Sequence, residues 1–286
     1  MDLLIIRPLK RGLFLFINFL IMFVTIISDC NDANESARQL TRANVLFNCP
    51  ANSLRLGNYS DIQSSGNLID ILDASEGREG VIILNVAPRF GTAKRWSNGV
   101  PFGFFRYKES IVVLTVNDFV LALLKKLEIT NEVNVTQIPE VIDTLINHKL
   151  IVEDNRDYII NTQFRSYEYA PKLAKLVLDG ADFPSEVIKI SDNPELEKGK
   201  VWFIDSFGNC KTTLLRDELE FSTDGFVKTR WGHIKFYERL KDVDNDNLGI
   251  YIGSSGIGQK RFAEITIQGG SASSGIGINI GDNVLV

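Results

Sequence analysis

The run Val81-Ile82-Ile83-Leu84-Asn85-Val86-Ala87 constrains this chain more than any other stretch. A strand with one wet face alternates apolar and polar residues. A nearly continuous apolar run has no face to give to water and must be covered by helices on both sides, as in a parallel sheet. Helical spacing around it agrees. Asp118 to Leu127 has an Asn117 cap and a Lys125-Lys126 pair at its far end, Pro139 opens a helix over Glu140–Lys149, and Glu168–Gly180 carries Pro171 in its first turn and a terminal Gly. Phe104–Tyr107, Ile111–Val116 and Val133–Ile138 read as further strands. Leu68–Leu72 reads as a helical turn or two, Asp29–Asn44 as a polar linker, and Val45–Phe47 as a first strand stopped by Pro50. Past a Pro- and Gly-punctuated stretch at 181–199 the texture turns to β: Val201–Leu215, Gly225–Tyr237, Leu248–Gly253, Ala263–Ile267 and Asn283–Val286. With 286 residues there is material for two cores. The expectation is an α/β domain over 41–192 followed by a smaller all-β, barrel-like domain over 193–286.

Residues 1–40 stand apart. Arg7, Lys10 and Arg11 precede an apolar run from Leu13 to Ile27, broken only by Asn18 and Thr25. Basic residues ahead of about fifteen apolar ones describe a signal-peptide core or short anchor, below the length of about twenty that a transmembrane helix needs. Residues 13–28 are therefore expected to direct the chain to a membrane, anchored or exported. The alternative is a translation start placed too early on a cytoplasmic protein. Formal net charge is −5 with no concentrated basic cluster, which excludes non-specific nucleic-acid binding. The three cysteines, Cys30, Cys49 and Cys210, have no metal spacing, and Cys49 with Cys210 is the pair that export would allow to join. Of the two histidines, His148 sits near a helix end, where capping is its ordinary role, and His233 lies in a strand. Gly253–Lys260 imitates a phosphate loop, but its Lys falls one residue late with no Ser or Thr after it. Asp242-Val-Asp244-Asn-Asp246 imitates a calcium loop, but its sixth and twelfth positions are Asn247 and Gly253.

The stretch richest in recognition chemistry is Ile204-Asp205-Ser206-Phe207-Gly208-Asn209, at the end of the Val201–Ile204 strand. It sets a carboxylate, a ring and an amide within five residues, a set that suits a polar heteroaromatic ligand. An ordinary hairpin turn would use the same Asp, Gly and Asn for their turn conformations.

Three segments together resemble the S-adenosylmethionine hydroxide adenosyltransferase family, which includes the fluorinating and chlorinating enzymes. Val86-Ala87-Pro88-Arg89-Phe90-Gly91-Thr92-Ala93-Lys94-Arg95 is similar to its V-D-P-G-V-G-T-x-R loop. Ile204–Asn209 is similar to its I-D-x-F-G-N signature. Gly253-Ser254-Ser255-Gly256, Gln268-Gly269-Gly270-Ser271-Ala272 and Gly281-Asp282-Asn283-Val284 are similar to its S-S-G, G-S-A and G-D-x-V pattern, and Tyr169-Ala170-Pro171 also fits. The likeness runs over residues 81–286. It implies an α/β domain before a barrel-like one, and a homotrimer with sites between subunits. S-adenosylmethionine is implied as a substrate, with no cofactor and no metal. In such a site Asp205 and Ser254, with Ser255 beside it, would hold the ligand's amino group. Phe207 and Asn209 would meet the adenine, Gly269 its edge, and Tyr237 would supply a stacking face.

The departures bear on catalysis. Ala87 stands where the family has an Asp, Lys94 where it has an Arg, and Phe164 where its hydrolases have a His. The early T-D-F-G motif is missing. Water activation through Asp, Arg and His cannot run on Ala, Lys and Phe. Lys94 and Arg95 are the polar candidates left for a catalytic role, with Arg89 and Tyr167 near them. Three readings remain open: a divergent hydrolase-like enzyme forming adenosine, a binding module that kept the adenine pocket, and a membrane-attached trimer using the fold alone.

Overall fold

The computed structural model describes residues 22–58, 60–87, 99–193 and 195–286. The apolar run forms strand β3 (Gly80–Asn85), buried at every position. It lies inside a seven-stranded sheet ordered β2-β1-β3-β5-β4-β6-β7. The partners are β1 (Phe23–Ser28), β2 (Ala51–Arg55), β4 (Phe102–Tyr107), β5 (Ser110–Thr115), β6 (Glu132–Thr136) and β7 (Glu186–Lys189). Strands β2, β1, β3 and β5 run parallel, and β4, β6 and β7 each run antiparallel to the strand before them in that order. The run has two fates by parity. Val81 and Ile83 face a core with helices α1 (Ala33–Phe47), α4 (Ile138–Asn147) and α7 (Ala170–Leu178). Ile82 and Leu84 face a second core with α2 (Asp61–Ala74) and α3 (Asp118–Lys126). Two short helices, α5 (Arg156–Ile160) and α6 (Arg165–Glu168), lead into α7.

Five sequence expectations are corrected here. Residues 23–28, the end of the apolar segment assigned to a membrane, are an interior strand, whose side chains from Val24 to Ser28 are buried. Residues 13–21 lie outside the described residues; among the described ones no helix is long and apolar enough to cross a membrane. The supposed linker is mostly helix α1, capped by Asp32, which accepts from the N–H groups of Asn34 and Glu35. Its polar sequence misled because its buried face uses Ser36, Gln39 and Ala43 before reaching Phe47. Val45–Phe47 close that helix, so among the described residues the sheet's first strand is β1. Helix α2 spans fourteen residues, its buried face built of Gln63, Ser64, Ser65, Gly66 and Asn67 as well as leucine and isoleucine. Strand β7 lies inside the stretch read as a boundary.

The second sheet has the order β10-β11-β12-β13-β9-β8. Its strands are β8 (Val201–Ile204), β9 (Cys210–Leu215), β10 (Phe226–Thr229), β11 (Gly232–Phe236), β12 (Leu248–Ile257) and β13 (Lys260–Ile267), with one short helix, α8 (Ala272–Ile276). The C-terminal segment links the sheet's two ends: Val201 N–H donates to Asp282 C=O (2.9 Å) and Arg230 N–H to Val284 C=O (2.9 Å). That closure is the barrel-like character expected of this half.

Helix α2 joins the halves. Trp202 is fully buried against Gly66, where a Cβ would lie 2.2 Å from the indole. Asp70 accepts from Ser255 Oγ (2.9 Å) and Gly256 N–H (3.0 Å), and Asp73 pairs with Arg261 (2.8 Å). This docking fixes where the turn after β8 stands relative to the first sheet.

Candidate functional site

The turn between β8 and β9 is built by its own aspartate. Asp205 Oδ1 accepts from the N–H groups of Phe207 and Asn209, both at 2.9 Å, and Oδ2 accepts from Asn209 Nδ2 at 3.0 Å. Gly208 N–H closes the turn on Asp205 C=O (3.0 Å) with φ at +82°, a conformation that suits glycine. Its Cα also packs onto Ser271, the residue that caps α8, and a Cβ there would fall 2.0 Å from Ser271 Oγ. With its backbone pinned, Phe207 is thrust outward with 77% of its surface exposed. An aromatic in that state has apolar area to gain by being covered.

Beside it opens a groove of about 520 Å³ lined by Phe207, Asn209, Leu240, Thr266, Gln268 and Gly269. Asn209 is held from both sides, since Thr266 Oγ1 donates to its Oδ1 while its nitrogen serves Asp205. The sequence-predicted residues divide accordingly. Phe207, Asn209 and Gly269 come together in this groove, with Asp205 bracing the turn behind them. Tyr237 does not line it. Its ring packs against Gly249, its hydroxyl donates to Asp244 (3.0 Å), and it is buried. Ser255 is buried between Lys211 (2.6 Å) and Asp70, in the contact between the two halves. Ser254 is exposed, and its carbonyl accepts from Arg261.

Under the turn the sheet keeps a buried acid. Glu264 on β13 accepts from Tyr251 Oη at 2.6 Å, and burial raises its carboxyl above the ordinary range. Cys210, in the second half's core, is pushed up to about 12 by burial, then by the Asp205 and Asp282 charges. Cys49 packs against the first half's core, so the two thiols do not pair.

A second polar surface lies at the other sheet, and no residue is common to the two. Chain order reverses between β1 and β3: α1 carries the chain to β2 on one side of β1, and α2 carries it back to β3 on the other. The helices change face there, α1 packing on one core and α2 on the other. Ligands of open α/β sheets bind outside the strand ends at such a reversal. Here that crevice, about 310 Å³, is lined by Asp29, Cys30, Asn31, Asp32, Glu35, Asn58 and Ala87. Asp29 follows β1 and both its oxygens accept from Ala87 N–H after β3 (3.2 and 3.0 Å). Asn58 also lines an adjoining cavity of about 560 Å³ with Asp61, Ile62, Phe119, Leu196, Lys200 and Ile280. Burial, then the charge of Asp29, raises Asp61 to about 6. Asp29 was not singled out from sequence. The available signal was a carboxylate directly after a short apolar strand, hidden because that strand was assigned to a membrane segment.

Lys94, Arg95 and Arg89 lie outside the described residues. Phe164 is half-exposed with the Arg38 guanidinium 5.6 Å from its ring, and the Arg38 and Arg42 guanidiniums lie 4.5 and 4.3 Å from the centre of the Tyr167 ring. Among the described residues no group of three or more His, Cys, Asp or Glu could hold a metal ion.

The architecture is thus an α/β sheet domain with a polar crevice at its topological reversal, joined to a β domain carrying an aromatic-and-amide groove. Residues 199–285, the β half of this chain, match the family model of the SAM hydroxide adenosyltransferase C-terminal domain. The family resemblance read from the sequence is borne out there. Over both halves the fold is similar to an uncharacterized conserved protein from Thermotoga maritima (TM-score 0.62, 17% identity, covering 91% of this chain and 98% of that one). It is also similar to a conserved hypothetical protein from Thermus thermophilus (TM-score 0.56, 18% identity, 92% and 100% covered). At such identities the likeness is one of fold. No curated protein matches the chain.

Proposed function

We propose that this protein binds an adenosyl compound, S-adenosylmethionine in the first instance, with the adenine in the groove beside Phe207. The observation that carries this reading is Phe207 itself, held out into water by a turn that Asp205 braces, beside an amide and the backbone of Gly269. A flat heteroaromatic base would cover the ring, and stacking of this kind contributes about 1–3 kcal/mol. The acidic crevice after β1 supplies the complementary half. Its carboxylates, Asp29, Asp32 and Glu35, suit sugar hydroxyls and a sulfonium or ammonium cation, and disfavour polyphosphates. Since groove and crevice share no residue, we place the ligand between copies of the chain, the groove of one facing the crevice of the next in a homotrimer.

Calorimetry on the full chain with S-adenosylmethionine and with adenosine tests the reading, alongside sedimentation equilibrium for the trimer. Phe207→Ala should weaken binding by roughly 5- to 150-fold with little change in stability. A folded protein that gives no heat with either ligand would leave the fold as a structural element only.

A second reading, binding without hydrolysis, is favoured by Ala87. Its methyl stands at the crevice where the resemblance calls for a carboxylate, and Phe164 replaces the imidazole. Prolonged incubation with S-adenosylmethionine followed by chromatography separates the two readings. Adenosine formed in proportion to protein supports hydrolysis, and intact ligand supports binding alone.

A further inference from the structure

We infer that Thr266 is a positioning residue that makes the Asn209 amide specific for adenine over a 6-oxopurine; this rests on the adenosyl reading of the groove. A primary amide has two N–H donors and two lone pairs on its oxygen. A carboxylate oxygen accepts and does not donate, so the Asn209 atom facing Asp205 Oδ2 must be the nitrogen. That assignment turns Oδ1 toward β13, where Thr266, 2% exposed, donates its hydroxyl to it. One donor and one lone pair are thereby used. One N–H and one lone pair remain on a side chain that lines the groove.

This remainder is the complement of one edge of adenine. Its N7 accepts and its 6-amino group donates, the pair that an asparagine or glutamine amide reads bidentately. A 6-oxopurine presents two acceptors on the same edge, so its O6 would face the Asn209 oxygen without a hydrogen between them. Thr266 fixes the amide's plane with a second anchor; with Asp205 as the only anchor, the amide can swing about that bond and the edge loses its aim. A valine at 266 keeps the shape of threonine and removes the donor, while a serine keeps the donor.

The test is calorimetry of adenosine and inosine on the full chain, wild type against Thr266→Val and Thr266→Ser. Wild type should prefer adenosine by about 10-fold or more, the scale of one bidentate pair. Thr266→Val should lose about 5-fold for adenosine with inosine unchanged, so that the ratio narrows, and Thr266→Ser should restore it. A narrowed ratio is not expected if Thr266 serves stability alone. If Thr266→Val keeps both affinity and ratio, the positioning role is overturned and the adenosyl reading stands. If wild type binds neither nucleoside, both fall. NMR of the wild-type side-chain amides, with the Asn209 pair identified by its loss in Asn209→Asp, needs no variant at 266. Adenosine should move one of the two protons strongly, and no movement overturns the proposal.

Discussion

Gly66→Ala is expected to destabilise the protein, although alanine is the better helix former. Gly66 lies within α2, where the exchange alone would gain about 1 kcal/mol of helix propensity. A Cβ at 66 would however stand 2.2, 2.3 and 2.7 Å from Cε3, Cδ2 and Cζ3 of Trp202, against 3.4–4 Å for ordinary contact. The indole has nowhere to go. It is fully buried, packed edge-on to Phe262 (centroids 6.4 Å, 65°), tilted on Phe203 (5.6 Å) and covered by Lys211 (5.4 Å). Forcing a methyl into so tight a contact costs roughly 3 kcal/mol, the upper end for overpacking. After the propensity gain the net loss should be about 2 kcal/mol. Urea unfolding followed by far-UV circular dichroism reads it as a lower midpoint at unchanged slope. The double-mutant cycle sharpens the test. In a Trp202→Leu background, itself less stable, the same Gly66→Ala change should stabilise by up to about 1 kcal/mol, a reversal of sign. If Gly66→Ala stabilises the parent, α2 and β8 are not in the contact described, and the placement of the 205–209 turn against the first sheet goes with it.

Asp205→Ala should cost about 2–3 kcal/mol, since three hydrogen bonds to one half-buried carboxylate go together. An unchanged thermal midpoint would show that the turn does not depend on it. Phe207→Ala, by contrast, should stay within about 0.5 kcal/mol of the parent because the ring is mostly in water. Asp61 has a folded-state pKa raised from 3.8 to about 6, so the folded chain holds a proton that the unfolded chain has released. Its contribution is therefore complete below the unfolded value and is lost as pH rises through the folded one, so stability should fall between about pH 4 and pH 6. Asp61→Asn should flatten that slope and be more stable by about 1 kcal/mol at neutral pH, allowing for water at the cavity wall. A slope that persists in the variant would assign it to another group.

Much of the fold was legible because its cause is local. The parity of Val81–Leu84 dictates burial on both faces of a sheet, and the Asn117 cap and Pro139 open helices α3 and α4 where the sequence placed them. The misreadings share one physical origin. Helices α1 and α2 bury serine, glutamine, asparagine and glycine, residues whose partners are distant in sequence: Ser65 Oγ donates to Val120 C=O (2.9 Å), and Gly66 makes room for Trp202. A polar run is read as solvated until those partners are known. The converse error fell on Phe23–Ser28, whose apolarity suits a lipid and a sheet interior equally; only its pairing with β2 and β3 decides.

The site divides in the same way. By itself the sequence determined the turn at Asp205–Asn209 and its ligand-like chemistry, because the Asp, Gly and Asn that shape the turn act on backbone within five residues. Tertiary structure alone decided which distant groups join it. Pairing of β13 beside β9 brought Thr266 and Gly269 to the groove and left Tyr237 and Ser255 buried elsewhere. The crossover of α1 and α2 put Asp29 at the sheet's reversal point. Turn conformation is a short-range property of residue type, whereas a pocket is a juxtaposition across strands, set by register and packing that no local stretch contains.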